Sequence, residues 1–217
     1  MIKGIIFDLD GVILDSFDAL VSSFKEVYHG EGLRVSKKYI HSRIGSGAQN
    51  NFRSFFLMNK IPFNDDYIFS LVEKFKKKQQ EMIDKIHVFP SFYPLAKQLK
   101  DYKMAVATMT NKSVAPFKLK KIKYNFDAVV TFEDVKNPKP FPDIFLAAAR
   151  KIKIDPLQCV VFEDAIFGVR AAKKAGMKCI GVAAGFYTKK HLLAAGADMA
   201  VSSLREREKI LKFIGRN

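Results

Sequence analysis

Asp8 and Asp10 stand two residues apart at the end of the apolar run Gly4–Phe7. Alternate side chains of an extended strand point to the same side, so a strand ending here sets two carboxylates close together. Such a pair resists double ionisation unless a cation offsets it. Either a metal ion sits nearby or one carboxyl keeps its proton. Gly11 follows directly and permits a sharp departure from the strand. Asp and Gly are also ordinary turn residues, so a plain polar turn is the alternative reading of this segment.

Three other segments carry polar groups just beyond an apolar run. Ala107-Thr108-Met109-Thr110-Asn111 offers hydroxyls and backbone amides that suit a phosphate at the start of a helix, or else an ordinary N-cap. In Lys139-Pro140-Phe141-Pro142-Asp143 the prolines stiffen a helix start. Lys139 then becomes a fixed point charge for a phosphate or carboxylate; a surface lysine is the alternative. Phe162-Glu163-Asp164-Ala165 closes the run Cys159–Phe162 with two carboxylates of the type that bind hard cations, or that cap a helix.

These segments need a common scaffold. Besides 4–7, the β-rich runs are 104–108, 127–131, 159–162 and 178–182, and helical patterns separate them. Such alternation predicts an α/β fold, a doubly wound parallel Rossmann-like sheet with right-handed crossovers. Ligands of these sheets bind beyond the carboxyl ends of the strands. Helical patterns at 17–28, 37–44, 48–59 and 65–86 interrupt the alternation and predict a small inserted bundle. The predicted division is a core of residues 1–16 and 88–217 and a helical domain of residues 17–87. Residues 205–217 read as a terminal helix.

The 217 residues are 48% hydrophobic and 27% charged, an ordinary globular balance. No apolar run approaches the ~18–20 residues of a membrane span. The first strand starts at once, which predicts no signal peptide and a cytoplasmic protein. Cys159 and Cys179 lie in apolar runs and read as buried free thiols. The formal net charge is +15. Two lysine clusters, at 74, 76, 77 and 78 and at 118, 120, 121 and 123, read as solvated helix faces. No RNP motif, zinc finger or helix-turn-helix is evident, so nucleic acid is not the expected partner. The charge keeps a non-catalytic basic binding protein as the alternative of another class.

In order and spacing, FDLDGVILDS, VATMT, KPFPDIF and VFEDAIFGVRAAKKAG resemble the four motifs of the haloacid dehalogenase-like hydrolases, in their phosphatase branch. The helical insertion is similar to that family's cap domain of the first type. The resemblance implies a Mg²⁺-dependent phosphatase acting on a small phosphomonoester, phosphoglycolate-like or a sugar phosphate, through an aspartyl-phosphate. Asp8 would be the nucleophile, Asp10 the acid and base, and Lys139 the charge that steadies Asp8 and the phosphoryl group. Thr108 and the amides after it, Met109 first, would hold the phosphoryl group. Mg²⁺ would take Asp8, the Asp10 carbonyl, Asp164 and Glu163.

Dehalogenases of the superfamily lack an acid at the place of Asp10, which favours phosphoryl chemistry. The β-phosphoglucomutases carry a histidine at the place of Leu20 and an arginine near Ala48. Both are missing, which leaves a β-phosphoglucomutase-type mutase as the runner-up. The run Arg43–Ala48 is similar to the cap segment of phosphoglycolate phosphatases and implies substrate contacts from Arg43 and Ser46. The Glu163-Asp164 pair with Gly168 is more like the mutases and sugar phosphatases. A monomer or homodimer is expected.

Overall fold

The computed structural model describes residues 1–215. Its centre is β1 (Gly4–Phe7), buried along its whole length. A strand covered on both faces needs a continuous apolar run, which GIIF supplies. β1 pairs in parallel with β4 (Lys103–Ala107) on one side and with β6 (Cys159–Glu163) on the other. β5 (Ala128–Val130) lies outside β4, and β7 (Lys178–Val182) and β8 (Met199–Val201) lie outside β6. The sheet order is β5-β4-β1-β6-β7-β8, parallel throughout.

Alternation along β1 feeds two cores. Ile5 and Phe7 enter a cluster with Val106, Phe162 and Leu95 of α5 (Phe92–Gln98), joined by Ile210 of α10 (Arg207–Ile214). Ile6 enters the opposite cluster with α7 (Asp143–Ile152), α8 (Ile166–Lys174) and α9 (Lys189–Ala194). The chain builds outward through β4 and β5, then returns to the far side of β1. The carboxyl end of β1 is therefore the switch point of the sheet, where a crevice opens.

Two short strands join the helical insertion to this core. β2 (Leu14–Asp15) leaves and β3 (His87–Val88) returns, paired antiparallel. Between them lie α1 (Phe17–Gly30), α2 (Lys37–Arg43), α3 (Ala48–Met58) and α4 (Asp65–Glu81). Ser36 and Asn64 side chains cap α2 and α4. These helices share a core of their own, rich in aromatics: Phe24, Tyr28, Phe52, Phe55, Phe56 and Phe75.

The structure departs from the sequence reading at several ends. β8 is a further parallel strand, three residues long and too short to show a pattern. α4 stops at Glu81 and a 3₁₀ turn, Ile83–Lys85, completes the expected 65–86 stretch. The terminal helix covers Arg207–Ile214, and residues 216–217 of the expected span lie outside the described residues. No described helix is long and apolar enough to cross a membrane.

Candidate active site

Asp8 follows β1 directly, and its amide still bonds to the Phe162 carbonyl at 2.9 Å, so the sheet fixes its position. The chain then turns tightly: Gly11 has φ +83, and its amide bonds to the Leu14 carbonyl at 2.8 Å. A Cβ at Gly11 would collide with the Asp164 carboxylate. Only glycine meets both conditions.

Lys139 has no exposed surface. Its Nζ donates to Asp8 Oδ1 at 2.6 Å and to Glu163 Oε1 at 2.7 Å. The other Glu163 oxygen accepts the Ala165 amide at 2.8 Å. Both Glu163 oxygens thus have protein donors, and a Cβ at Gly168 would overlap its carboxylate. Glu163 is placed to hold Lys139, Asp164 has no such donor, and both line the cavity. Glu163, which the resemblance implies as a further ligand, has Lys139 and the Ala165 amide as its protein donors.

Asp10 has three donors. Ser16 Oγ at 2.5 Å and Lys118 Nζ at 2.7 Å reach Oδ1, and Thr110 Oγ1 reaches Oδ2 at 2.7 Å. Lys118 is buried, contrary to its reading as part of a solvated lysine face. α6 (Ala115–Leu119) turns Ala115 and Lys118, three residues apart, inward together. That spacing was visible in the sequence; residue type argued the other way. Thr108, almost wholly buried, accepts the Thr110 amide through Oγ1 at 3.1 Å. α6 starts only at Ala115, so no helix begins directly after Thr108.

Charge follows from this layout. Burial drives the Asp8 carboxyl up, Lys139 partly counters it, and Glu163 adds to it, leaving Asp8 near a pKa of about 7. Asp164 is pushed well above the usual range, first by burial and then by Glu163 and Asp8. Burial would raise Asp10 too, but the Lys118 charge and the bonds from Lys118, Ser16 and Thr110 hold it below its ordinary value. Burial opposes the Lys139 ammonium, yet Asp8 and Glu163 outweigh it and raise its pKa.

Three buried carboxylates and the half-buried Asp10 therefore face two buried ammoniums, and the deficit falls on Asp8 and Asp164. A divalent cation there would offset it. Among the described residues no three His, Cys, Asp or Glu side chains form a ready-made metal cluster. Mg²⁺ does not require one, since it keeps several waters and takes one or two carboxylates plus substrate phosphate. Asp8, Asp164 and the Asp10 carbonyl are the fitting donors.

The helical insertion roofs the cavity. Leu20, Phe24, Ile44 and Phe75 line it with carbon, and Arg43 and Gln79 are its polar groups on that side. Gln79 is 4% exposed and its amide makes no hydrogen bond to the protein. The sequence reading missed it, because one Gln in a polar helix carries no mark. A Cβ at Gly45 would lie 2.7 Å from Ala165 Cβ, and one at Gly47 would lie 3.4 Å from Met109 Cε, so this loop rests on the core. Ser46 stands apart from the cavity lining: its hydroxyl donates to the Arg43 carbonyl at 2.7 Å and closes the turn.

The sequence family described as haloacid dehalogenase-like hydrolase matches residues 5–182. The fructose-1-phosphate phosphatase YqaB of Escherichia coli (strain K12) is 32% identical over 181 residues, covering 82% of this chain and 95% of its own. A hydrolase from Pseudomonas syringae superposes with a TM-score of 0.92 at 29% identity, covering 98% of this chain and 99% of its own. A β-phosphoglucomutase from Clostridium difficile gives a TM-score of 0.87 at 25% identity, covering 99% and 97%. The chain belongs to the haloacid dehalogenase-like hydrolase family and is a phosphoric monoester hydrolase within it.

Proposed function

We propose that this hydrolase is a Mg²⁺-dependent phosphatase of a small phosphomonoester, with Asp8 as nucleophile and Asp10 as acid and base. The observation that carries this reading is the division of the Asp8 carboxylate. Oδ1 is held by Lys139 at 2.6 Å, while Oδ2 has no protein hydrogen bond and the residue lines the cavity. A nucleophile needs that arrangement: one oxygen steadied, one available.

In the first step an Asp8 oxygen bonds to phosphorus and the bond from phosphorus to the leaving oxygen breaks. Asp10 gives its proton to that oxygen. This step requires the proton on Asp10: the negative charge of the bound ester favours the neutral carboxyl, against the opposing pull of Lys118. In the second step water attacks phosphorus, Asp10 takes its proton, and Asp8 is released with inorganic phosphate. Thr108 and the following amides hold the phosphoryl oxygens. When bound, Mg²⁺ supplies charge neutralisation, the dominant need in phosphoryl transfer. Residues 17–87 act as a cap, with residues 1–16 and 88–217 as the catalytic core.

Hydrolysis is the reading preferred over the mutase reaction, since the sequence lacks the histidine at the place of Leu20 and the arginine near Ala48 that mark the mutases. A mutase must anchor a second phosphate away from Asp8, and the cap side of the lining is mainly carbon. Arg43 is the one cationic side chain among the described lining residues and so the group to test for that anchor. The carbon surface of Leu20, Phe24, Ile44 and Phe75 suits a short organic group with one or two polar atoms, such as a small sugar phosphate or phosphoglycolate. The buried thiols Cys159 and Cys179 fit a reducing, cytoplasmic setting. Asp8→Asn abolishes p-nitrophenyl phosphate hydrolysis while the fold, followed by circular dichroism, stays intact. Wild-type turnover in that variant overturns the mechanism. Free phosphate from a panel of phosphorylated metabolites identifies the substrate; isomer formation without phosphate release supports the mutase instead.

A further inference from the structure

Lys118 and Lys139 are the only buried lysines among the described residues, and neither exposes any surface. Lys139 bonds to Asp8, as above. Lys118 does the corresponding thing for Asp10, at 2.7 Å from Oδ1 and 3.2 Å from Thr110 Oγ1. The proposed mechanism so far gives Lys118 no task.

The geometry points to Lys118 as a positioning residue that fixes the plane of the Asp10 carboxyl group, so that proton delivery to the leaving oxygen depends on it. This rests on the reading of Asp8 as nucleophile and Asp10 as acid. On its own, the terminal torsion of an Asp side chain is broad. Here Lys118 grips one oxygen while Thr110 grips the other, and rotation about that torsion breaks both bonds. The three restraints come from different places. Ser16 lies at the start of the helical insertion, Thr110 in the loop after β4, and Lys118 on core helix α6. A purely structural role would not call for lysine. Burying an ammonium costs several kcal/mol even after relaxation, and well-packed apolar groups replace buried ion pairs with neutral or favourable effect. Lys118 lines a small cavity with Ala19, Leu20, Met82 and Ile86, and with Ser16, Ser23 and Gln79, so methionine keeps the length of the side chain while removing its charge.

The test is leaving-group dependence, which fold stability alone does not move. An alkyl phosphate needs its leaving oxygen protonated, whereas p-nitrophenolate departs without a proton. Lys118→Met is expected to lower kcat/KM for an alkyl phosphate on the order of 10²-fold, and for p-nitrophenyl phosphate by less than about 10-fold. Asp10→Asn is expected to show the same selective loss, and adding Lys118→Met to it should not widen the ratio between the two esters. An equal loss on both esters, or no loss on either, overturns the proposal. If Lys118→Met does not fold, Lys118→Gln is read by the same ratio. Asp8→Asn separates the two ideas. Activity surviving in it refutes the underlying mechanism, whereas an inactive Asp8→Asn beside an unselective Lys118 variant refutes only the positioning role.

Discussion

Replacing Gly168 by alanine should destabilise the protein and slow it, although alanine is the better helix former. Gly168 lies within α8 and is buried. On an exposed helix the substitution would stabilise by about 1 kcal/mol. Here the new Cβ would overlap the Glu163 carboxylate. That carboxylate has no slack: Oε1 is 2.7 Å from Lys139 Nζ, Oε2 is 2.8 Å from the Ala165 amide, and the residue is 1% exposed. Depriving one member of a buried ion pair of its partner costs about 3–5 kcal/mol. The lower end applies, because Lys139 keeps Asp8 at 2.6 Å. Set against the helix gain, the net loss is about 2 kcal/mol. Urea unfolding followed by circular dichroism reads that loss as a lower midpoint at unchanged slope. Turnover should fall as well, since Lys139 loses the anchor that aims it at Asp8. A Gly168→Ala protein with the wild-type midpoint and wild-type kcat would refute the chain of contacts from Gly168 through Glu163 and Lys139 to Asp8.

Stability should depend on pH in a way that Mg²⁺ erases. The Asp8 carboxyl titrates at 3.8 when unperturbed and near 7 in the fold, so between those values the folded chain binds the extra proton and stability falls as pH rises; Asp164 is shifted in the same direction. A cation beside them removes that cost, so the rise in Tm on adding Mg²⁺ should be larger at pH 8 than at pH 5, and equal shifts at the two pH values would contradict the assigned donors. Gln79→Leu should raise KM for the best metabolite by about 10-fold, the loss of one or two hydrogen bonds, and barely change p-nitrophenyl phosphate turnover. An unchanged substrate profile would remove Gln79 from the recognition surface.

The sheet and its edge were legible because they rest on strong local signals. GIIF, KMAVA, CVVFE and KCIGV are short, largely apolar runs that suit covered parallel strands, and each of the first three leads directly to a chemically loaded segment. What stayed hidden depends on three-dimensional company. Lys118 sits among lysines that do face water, so its type outweighed its spacing from Ala115. Glu163 and Asp164 are adjacent in sequence, yet strand alternation turns one toward Lys139 and Gly168 and the other toward Gly11. Adjacent carboxylates therefore have different neighbours, and nothing in the dipeptide says so. Gln79 acquires meaning only because α4 packs over the crevice and leaves its amide there without a partner.

The net charge of +15 misleads in the same way. Counted along the chain, it suggests an affinity for anions spread over the surface. Inside the site the balance is reversed: Asp8, Asp10, Glu163 and Asp164 outnumber Lys118 and Lys139. With Asp8 and Asp164 ionised and no cation beside them, a dianionic ester meets repulsion in a medium of low effective dielectric, where it is strongest. The surplus surface lysines raise the local concentration of anionic substrate only weakly at physiological salt, because screening sets in within about 8 Å. On the proposed mechanism, binding draws on a cation held by Asp8 and Asp164. For this chain, metal removal should weaken substrate binding as well as chemistry, whereas raising the ionic strength should change KM only modestly.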